Sequence, residues 1–283
     1  MRTATLAALI GATLAIPAVA ELRFDGYGRF GAFYDESKGK LEPTSRLRLS
    51  LDGETSADNG LELSFRLRLQ ADDGGTAMFN GARFTLRSGP LRFDVGNVAG
   101  AIDTMPGFYG AEPGLTDLMN QAQVLRAGFD EYDSSGPGRD GVSLRYSRGA
   151  VQVAASHSDT RGRSRTAAHL AYSTGQGTIA IGYQSSNRRA DDGLAVLAYT
   201  HDFEWGKAGL IAAREDAGTV LGASLNWEIS ATTEVLAAFS ATRGREDFGL
   251  GLSHDLGGGA TVQGGVASVA GNVVADFGIR FDF

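Results

Sequence analysis

The residues whose types and spacing could do chemistry here are charged, and they come in two sets. Arginines recur at every second position in the first third of the chain: Arg29, then Arg46 and Arg48, then Arg66 and Arg68, with Arg83, Arg87 and Arg92 following. The stretch 99–139 answers with six acids, Asp103, Glu112, Asp117, Asp130, Glu131 and Asp133, against two arginines, Arg126 and Arg139. Guanidinium groups stay charged at any relevant pH. Set across a narrow water-filled gap from carboxylates, they would make a transverse field that orients dipolar solutes and sorts ions. That chemistry breaks no bond.

Bond-breaking alternatives find little support. The chain has no cysteine, which removes thiol catalysis and thiolate metal sites. His157, His169, His201 and His254 are widely separated and form no H-E-x-x-H or similar ligand spacing. No G-x-S-x-G occurs, so a serine hydrolase in a membrane barrel would need serine, histidine and a polar orienter to converge from different strands. Residues 26–31 match G-x-G-x-x-G, but these glycines lie within a strand and open no helix, so they are expected to allow close approach between neighbouring barrels. The acidic pairs Asp72-Asp73 and Asp191-Asp192 offer oxygen ligands for Ca²⁺ or for divalent-bridged lipid headgroups, with solvated loop charge as the simpler reading. No other cofactor is expected.

The elements that must position the arginines are strands. In 21–34, Leu22, Phe24, Gly26, Gly28, Phe30 and Ala32 alternate with Arg23, Asp25, Tyr27 and Arg29. The stretch 44–55 sets Leu47, Leu49 and Leu51 against Arg46, Arg48, Ser50 and Asp52, and 61–70 sets five apolar residues against Glu62, Ser64, Arg66, Arg68 and Gln70. Period-two alternation puts apolar residues on one face of a sheet and charge on the other. Turn chemistry rich in Gly, Asn, Ser and Asp marks 56–60, 88–90, 148–149, 175–177, 204–206, 230–232 and 257–259. Between these lie 36–43, 72–77, 99–139, 160–164, 188–193, 216–217, 243–245 and 270–271. Fifteen connections join sixteen strands.

A soluble sandwich and a membrane barrel both show this alternation. The even strand count, the single set of short turns, and Tyr146, Tyr172, Phe203, Trp205 and Trp227 close to those turns favour the barrel. Lipid forbids an open edge, so the sheet must close. No apolar run after residue 20 is long enough for a membrane helix. Residues 1–20 combine Arg2, an apolar run and Ala18-Val19-Ala20, the parts of a secretory signal peptide, with the mature barrel expected over 21–283. A formal net charge of −7 disfavours a nucleic-acid partner.

Near the C-terminus the run Asp255-Leu256-Gly257-Gly258-Gly259-Ala260-Thr261-Val262-Gln263-Gly264-Gly265-Val266-Ala267, followed by Val274 to Phe283, closely resembles the last hairpin and strand of the trimeric general porins, especially those of Rhodobacter-type alphaproteobacteria. The resemblance implies an integral outer-membrane barrel of a Gram-negative bacterium, a homotrimer with a contact near the first strands, bathed by lipid and lipopolysaccharide. It also implies that the aromatic terminal residue Phe283 serves recognition by the outer-membrane assembly machinery. In that family the third long loop enters the barrel opposite a ladder of arginines. Met105-Pro106-Gly107-Phe108-Tyr109-Gly110 resembles the Pro-Glu-Phe-Gly-Gly turn of that loop, with Gly107 where the motif has its glutamate.

The expectation is therefore an all-β transmembrane antiparallel barrel of sixteen strands with 99–139 folded into the lumen as a constriction. Arg29, Arg46, Arg48, Arg66, Arg68 and Arg83 would form its basic wall, and Asp103, Glu112 and Asp117 its acidic side. Local pairing of the arginines with Glu62, Asp52 or Asp94 is the competing arrangement. The expected function is passive diffusion of small hydrophilic solutes and ions, the alternatives being a channel specific for anionic solutes and an outer-membrane barrel hydrolase.

Overall fold

The computed structural model describes residues 21–283; the expected signal peptide lies outside the described residues. Antiparallel pairing joins seventeen strand segments: β1 (Glu21–Asp35), β2 (Lys40–Ser56), β3 (Glu62–Asp72), β4 (Met78–Phe79), β5 (Arg83–Ser88), β6 (Leu91–Asn97), β7 (Asp140–Arg148), β8 (Val151–Thr160), β9 (Arg163–Ser173), β10 (Gly177–Ser186), β11 (Leu194–Phe203), β12 (Gly206–Glu215), β13 (Gly218–Ser230), β14 (Thr233–Thr242), β15 (Arg245–Gly257), β16 (Ala260–Val269) and β17 (Asn272–Asp282). Each of β4 and β5 pairs with β3, at Leu69 to Phe79 and at Arg66 to Arg83. They are one wall strand interrupted at Asn80, so the wall has sixteen strands. β17 returns to β1, with Gly31 opposite Gly278, and no edge is left open.

The alternation read from the sequence decides which side faces out. Leu22, Phe24, Leu47, Phe84, Leu210, Leu250 and Phe277 are exposed around the exterior, as a lipid-facing band requires. Near the short turns, Phe203 stacks on Trp205 with centroids 4.6 Å apart, an amphipathic pair at the level where the apolar band ends. The glycines of the first strand have a different role from the expected one. A Cβ at Gly28 would lie 2.5 Å from the Phe281 ring and one at Gly26 3.2 Å from the Phe283 ring, so this space is filled by the chain's own last strand and not by a neighbouring barrel.

The apolar core lies inside the barrel, and the long segment after β6 supplies most of it. Ile102, Met105, Phe108, Leu115, Met119 and Val124 are almost fully buried against small inward-facing wall residues, including Ala154, Ala167, Ala180, Ala198, Ala213, Ala238 and Ala267. Burying one such large side chain is worth about 1.5–3 kcal/mol. The path runs outward across the wall and then back. Ala101 N–H donates to Ser156 on β8, Gly110 packs on Ser224 of β13, and Leu115 reaches Gly278 and Gly31 on β17 and β1. The return leg of the loop passes Gly222, where a Cβ would collide with the Gln121 carbonyl, and ends at Asn80.

Irregular backbone leaves donors unpaired, and buried donors must find acceptors. Carboxylates on the wall strands, and Asp191 in the connection between β10 and β11, supply them. Asp276 accepts Leu115 N–H at 2.9 Å, Thr116 N–H at 2.7 Å and the Thr116 hydroxyl at 2.6 Å. Glu215 accepts Arg126 N–H and Ala127 N–H, and Asp191 accepts Gly128 N–H. Arg165, 3% exposed, ties Asp130 of the loop to Asp191 with 2.8 Å contacts to each.

Hydrogen bonds to charged groups contribute about 1.5–3 kcal/mol each, so Asp276→Ala is expected to speed amide exchange at Leu115 and Thr116 by roughly 10- to 100-fold while strand amides stay protected. Hydrogen-exchange mass spectrometry of the detergent-solubilised protein measures this.

Candidate pore constriction

Register pairing stacks the first-strand arginines into rows across the inner wall. One row runs Arg280, Arg29, Arg46, Asp72; the next runs Asp282, Tyr27, Arg48, Gln70. Like charges directly opposite one another destabilise a sheet by up to about 1 kcal/mol per pair, so each row needs compensation. Carboxylates supply part of it. Arg46 pairs with Asp72, and Arg66 grips Asp52 through Nε and Nη2 at 2.7 and 2.8 Å. Of the local pairings weighed from sequence, Asp52 and Asp94 form, the latter with Arg92, and Glu62 forms no salt bridge among the described residues.

Arg280 pairs with Asp282 at 3.0 Å, and two tyrosines hold the others in place. The guanidinium carbons of Arg48 and Arg280 lie 5.1 and 4.2 Å from the Tyr27 ring centre, and Arg46 Nη1 donates to its hydroxyl. Arg68 and Arg83 lie 4.8 and 5.2 Å from the Tyr132 ring centre. Cation–π contact holds a guanidinium without neutralising it. Arg48, whose Nε donates to Gln70 at 2.7 Å, Arg68, which reaches Ser134, and Arg83 therefore keep uncompensated charge. A recess of about 360 Å³ opens beside Arg48 and Arg68, lined also by Tyr27, Arg280, Asp25 and Asp282.

The three acids expected from sequence differ in their surroundings. Asp103 is committed inside the loop, accepting from the Tyr109 hydroxyl and from Tyr132 N–H. Its burial pushes its carboxyl up, against the pull of those two bonds. Asp117 stands at the loop tip, half-exposed, 3.6 Å from Arg29, whose other contact is the Leu115 carbonyl at 2.7 Å. Glu112 is exposed to the lumen. Protein on most sides leaves it short of bulk water, and this first, then the Asp117 charge, pushes it up to about 7. Glu131, also exposed, is raised by burial and by Asp103.

Several residues that fix this arrangement went unread in the sequence. Asn80 donates to the Tyr132 hydroxyl and the Asp133 carbonyl, and Asn97 donates to the same carbonyl at 2.7 Å, so the two asparagines clamp the end of the loop on the wall. No sequence pattern marked them. Arg280 could have been found: once the sheet must close, the last strand's inward arginine falls beside Arg29. Asp72, Asp73, Asp191 and Asp192 each accept bonds from the chain's own donors, namely Arg46, Thr44, Arg165 and Ser186. Phe283 exchanges backbone hydrogen bonds with Gly26 at 2.9 and 3.0 Å, sealing the barrel seam.

A family model described as Gram-negative porin matches residues 4–272. The porin of Fuscovulum blasticum is 31% identical over 93% of this chain and 100% of its own length, and that of Rhodobacter capsulatus 26% identical over the same shares. Among solved structures, an engineered variant of the Rh. blastica porin matches with a TM-score of 0.83 at 26% identity, covering 93% of this chain and 100% of the other. Another, from work on asymmetric conductivity of engineered proteins, reaches 0.84 at 27% identity with the same coverage. With a closed sixteen-strand wall, an apolar exterior and a charged interior already explained by a lipid setting, these likenesses decide the family: the chain belongs to the Gram-negative porins, integral β-barrels of the outer membrane.

Proposed function

We propose that this porin passes small hydrophilic solutes and ions by diffusion through a gap bounded by Arg29, Arg46, Arg48, Arg66, Arg68 and Arg83 on the wall and by Glu112 and Asp117 on the loop, with Asp103 bracing the loop. The observation that carries the reading is the division of the inner wall. Its small-residue side holds the loop, and beyond Arg29, which the loop covers, its arginine side borders a recess of the lumen at Arg48 and Arg68. A loop held against one side narrows the passage, and opposed charges across the remaining space bias what enters.

The barrel is proposed to act without covalent chemistry. His157, His201 and His254 bond Thr166, Tyr199 and Thr233, and His169 bonds Gln152 and the Ala101 carbonyl; among the described residues none is joined to a carboxylate or a serine. A homotrimer contacting through the first strands fits an apolar recess of about 240 Å³ on that face, lined by Leu22, Leu63, Phe65 and Phe84. Lipid and lipopolysaccharide would cover the remaining exterior, and Phe283 would be read by the assembly machinery before the seam closes over it.

Replacing Arg48, Arg68 and Arg83 together by glutamine is expected to lower anion-over-cation permeability by about two- to threefold, and Glu112→Gln with Asp117→Asn to move it the other way. Reversal potentials across a salt gradient measure both; unchanged potentials in both variants would place the gap elsewhere.

Glu112 carries its charge above about 7 and loses it below. Acidification through neutrality is therefore expected to shift selectivity toward anions with a midpoint near that value, and Glu112→Gln to remove the midpoint. Reversal potentials measured as a function of pH test this directly.

A further inference from the structure

A second concentration of arginine lies on the same inner wall, next to the short turns. Register sets Glu62, Arg87, Arg92 and Arg145 in one row across β3, β5, β6 and β7, and pairs Arg66 with Arg83 two rows further in. Arg87 is one residue from the end of β5 and Arg92 one from the start of β6, so the row borders the turn between those strands. Short turns lie on the periplasmic side of such barrels.

Charge compensation in this cluster is partial. Arg92 grips Asp94 through Nε at 2.9 and 3.0 Å, and Arg66 holds Asp52. Arg83, Arg87 and Arg145 form no salt bridge among the described residues, and the Nε atoms of Arg83 and Arg145 are buried without a hydrogen-bond partner. Arg66, Arg83, Arg87 and Arg92 line a cavity of about 250 Å³. Of the acids that share it, Asp52 is already taken, and Glu21, Glu54 and Glu62 lie at or near the ends of their strands.

We propose that this cavity is an oxyanion-binding site on the pore wall, and that the solutes it takes are phosphate and phosphomonoesters. The planar guanidinium fork matches two oxygens of one phosphate group, and a tetrahedral dianion can accept from forks on adjacent strands at once. Its two charges offset guanidiniums that the wall leaves uncompensated. Chloride has neither the charge nor the geometry to bridge them. The inference rests on the pore reading above: the site shares Arg66 and Arg83 with the proposed gap and extends from it toward the periplasmic mouth, so a solute leaving the gap meets it.

The test is single-channel current in potassium chloride with inorganic phosphate added at constant ionic strength. Phosphate is expected to reduce the chloride current saturably. The Arg87→Gln, Arg145→Gln double variant is expected to raise the half-blocking concentration by about tenfold, through loss of one charge-assisted donor at the cavity and of the Arg145 charge beside Arg92. Arg148→Gln, at the neighbouring turn outside the row, should leave it unchanged. The single Arg87→Gln, at an exposed strand end, provides an intermediate shift should the double variant fail to assemble, which its chloride current reveals. Block by glycerol phosphate as well assigns the site to phosphomonoesters; block by phosphate alone assigns it to the free anion. Normal chloride current with no saturable phosphate effect, or an effect untouched by the Arg87 and Arg145 changes, overturns the site and leaves the pore intact. Absence of any current in the unmodified protein overturns the pore itself.

Discussion

Everything inside this barrel depends on carboxylates of the wall accepting backbone N–H groups of the loop. A segment of about forty residues with little regular structure cannot sit in a lumen unless its polar backbone finds partners there. Asp276 at the far end of the path, Glu215 in the middle and Asp191 near the return hold it at three separated points. Small residues do the complementary work. Gly222, Gly249 and Gly278 stand where a Cβ would collide with Gln121, Met119 and Leu115. The loop therefore lies mainly on β8 through β17, reaching β1 at Gly31 and covering Arg29, and Arg48 and Arg68 are left beside open space.

That division explains how an acidic protein can have a basic wall. The formal net charge of −7 is spread over loops, rims and the inserted segment, whereas the first strands concentrate guanidiniums in adjacent rows. Such rows are tolerable because water fills the space beside them and because Tyr27 and Tyr132 stack against four of the guanidiniums. Stacking fixes position without cancelling charge. The tyrosines thus hold the wall rigid while leaving its field intact, which a ladder of salt bridges would not do.

Much of this was legible in the sequence, for a physical reason. Strand faces follow from a period of two, and turns from Gly, Asn and Asp, so residues such as Leu47 against Arg48 reveal their sides without tertiary information. The interruption at Asn80 was not legible, because it exists to receive Asp133 and Tyr132 from fifty residues away. The acids of the loop were legible as a set, but not individually. Asp103 turns inward to Tyr109 while Asp117 meets Arg29, and only the folded path decides between such fates. The run of inward alanines from Ala154 to Ala267 was the available signal for where the loop lies, since only a wall without bulk leaves room for it.

The most direct test of the loop-narrowed pore is single-channel conductance of the mature protein in a planar bilayer, with and without deletion of residues 105–130. Stepwise openings are expected in both forms, with a clearly larger step after the deletion, since a segment packed inside the barrel is gone. Equal conductance in the two forms would show that the loop does not set the width of the passage.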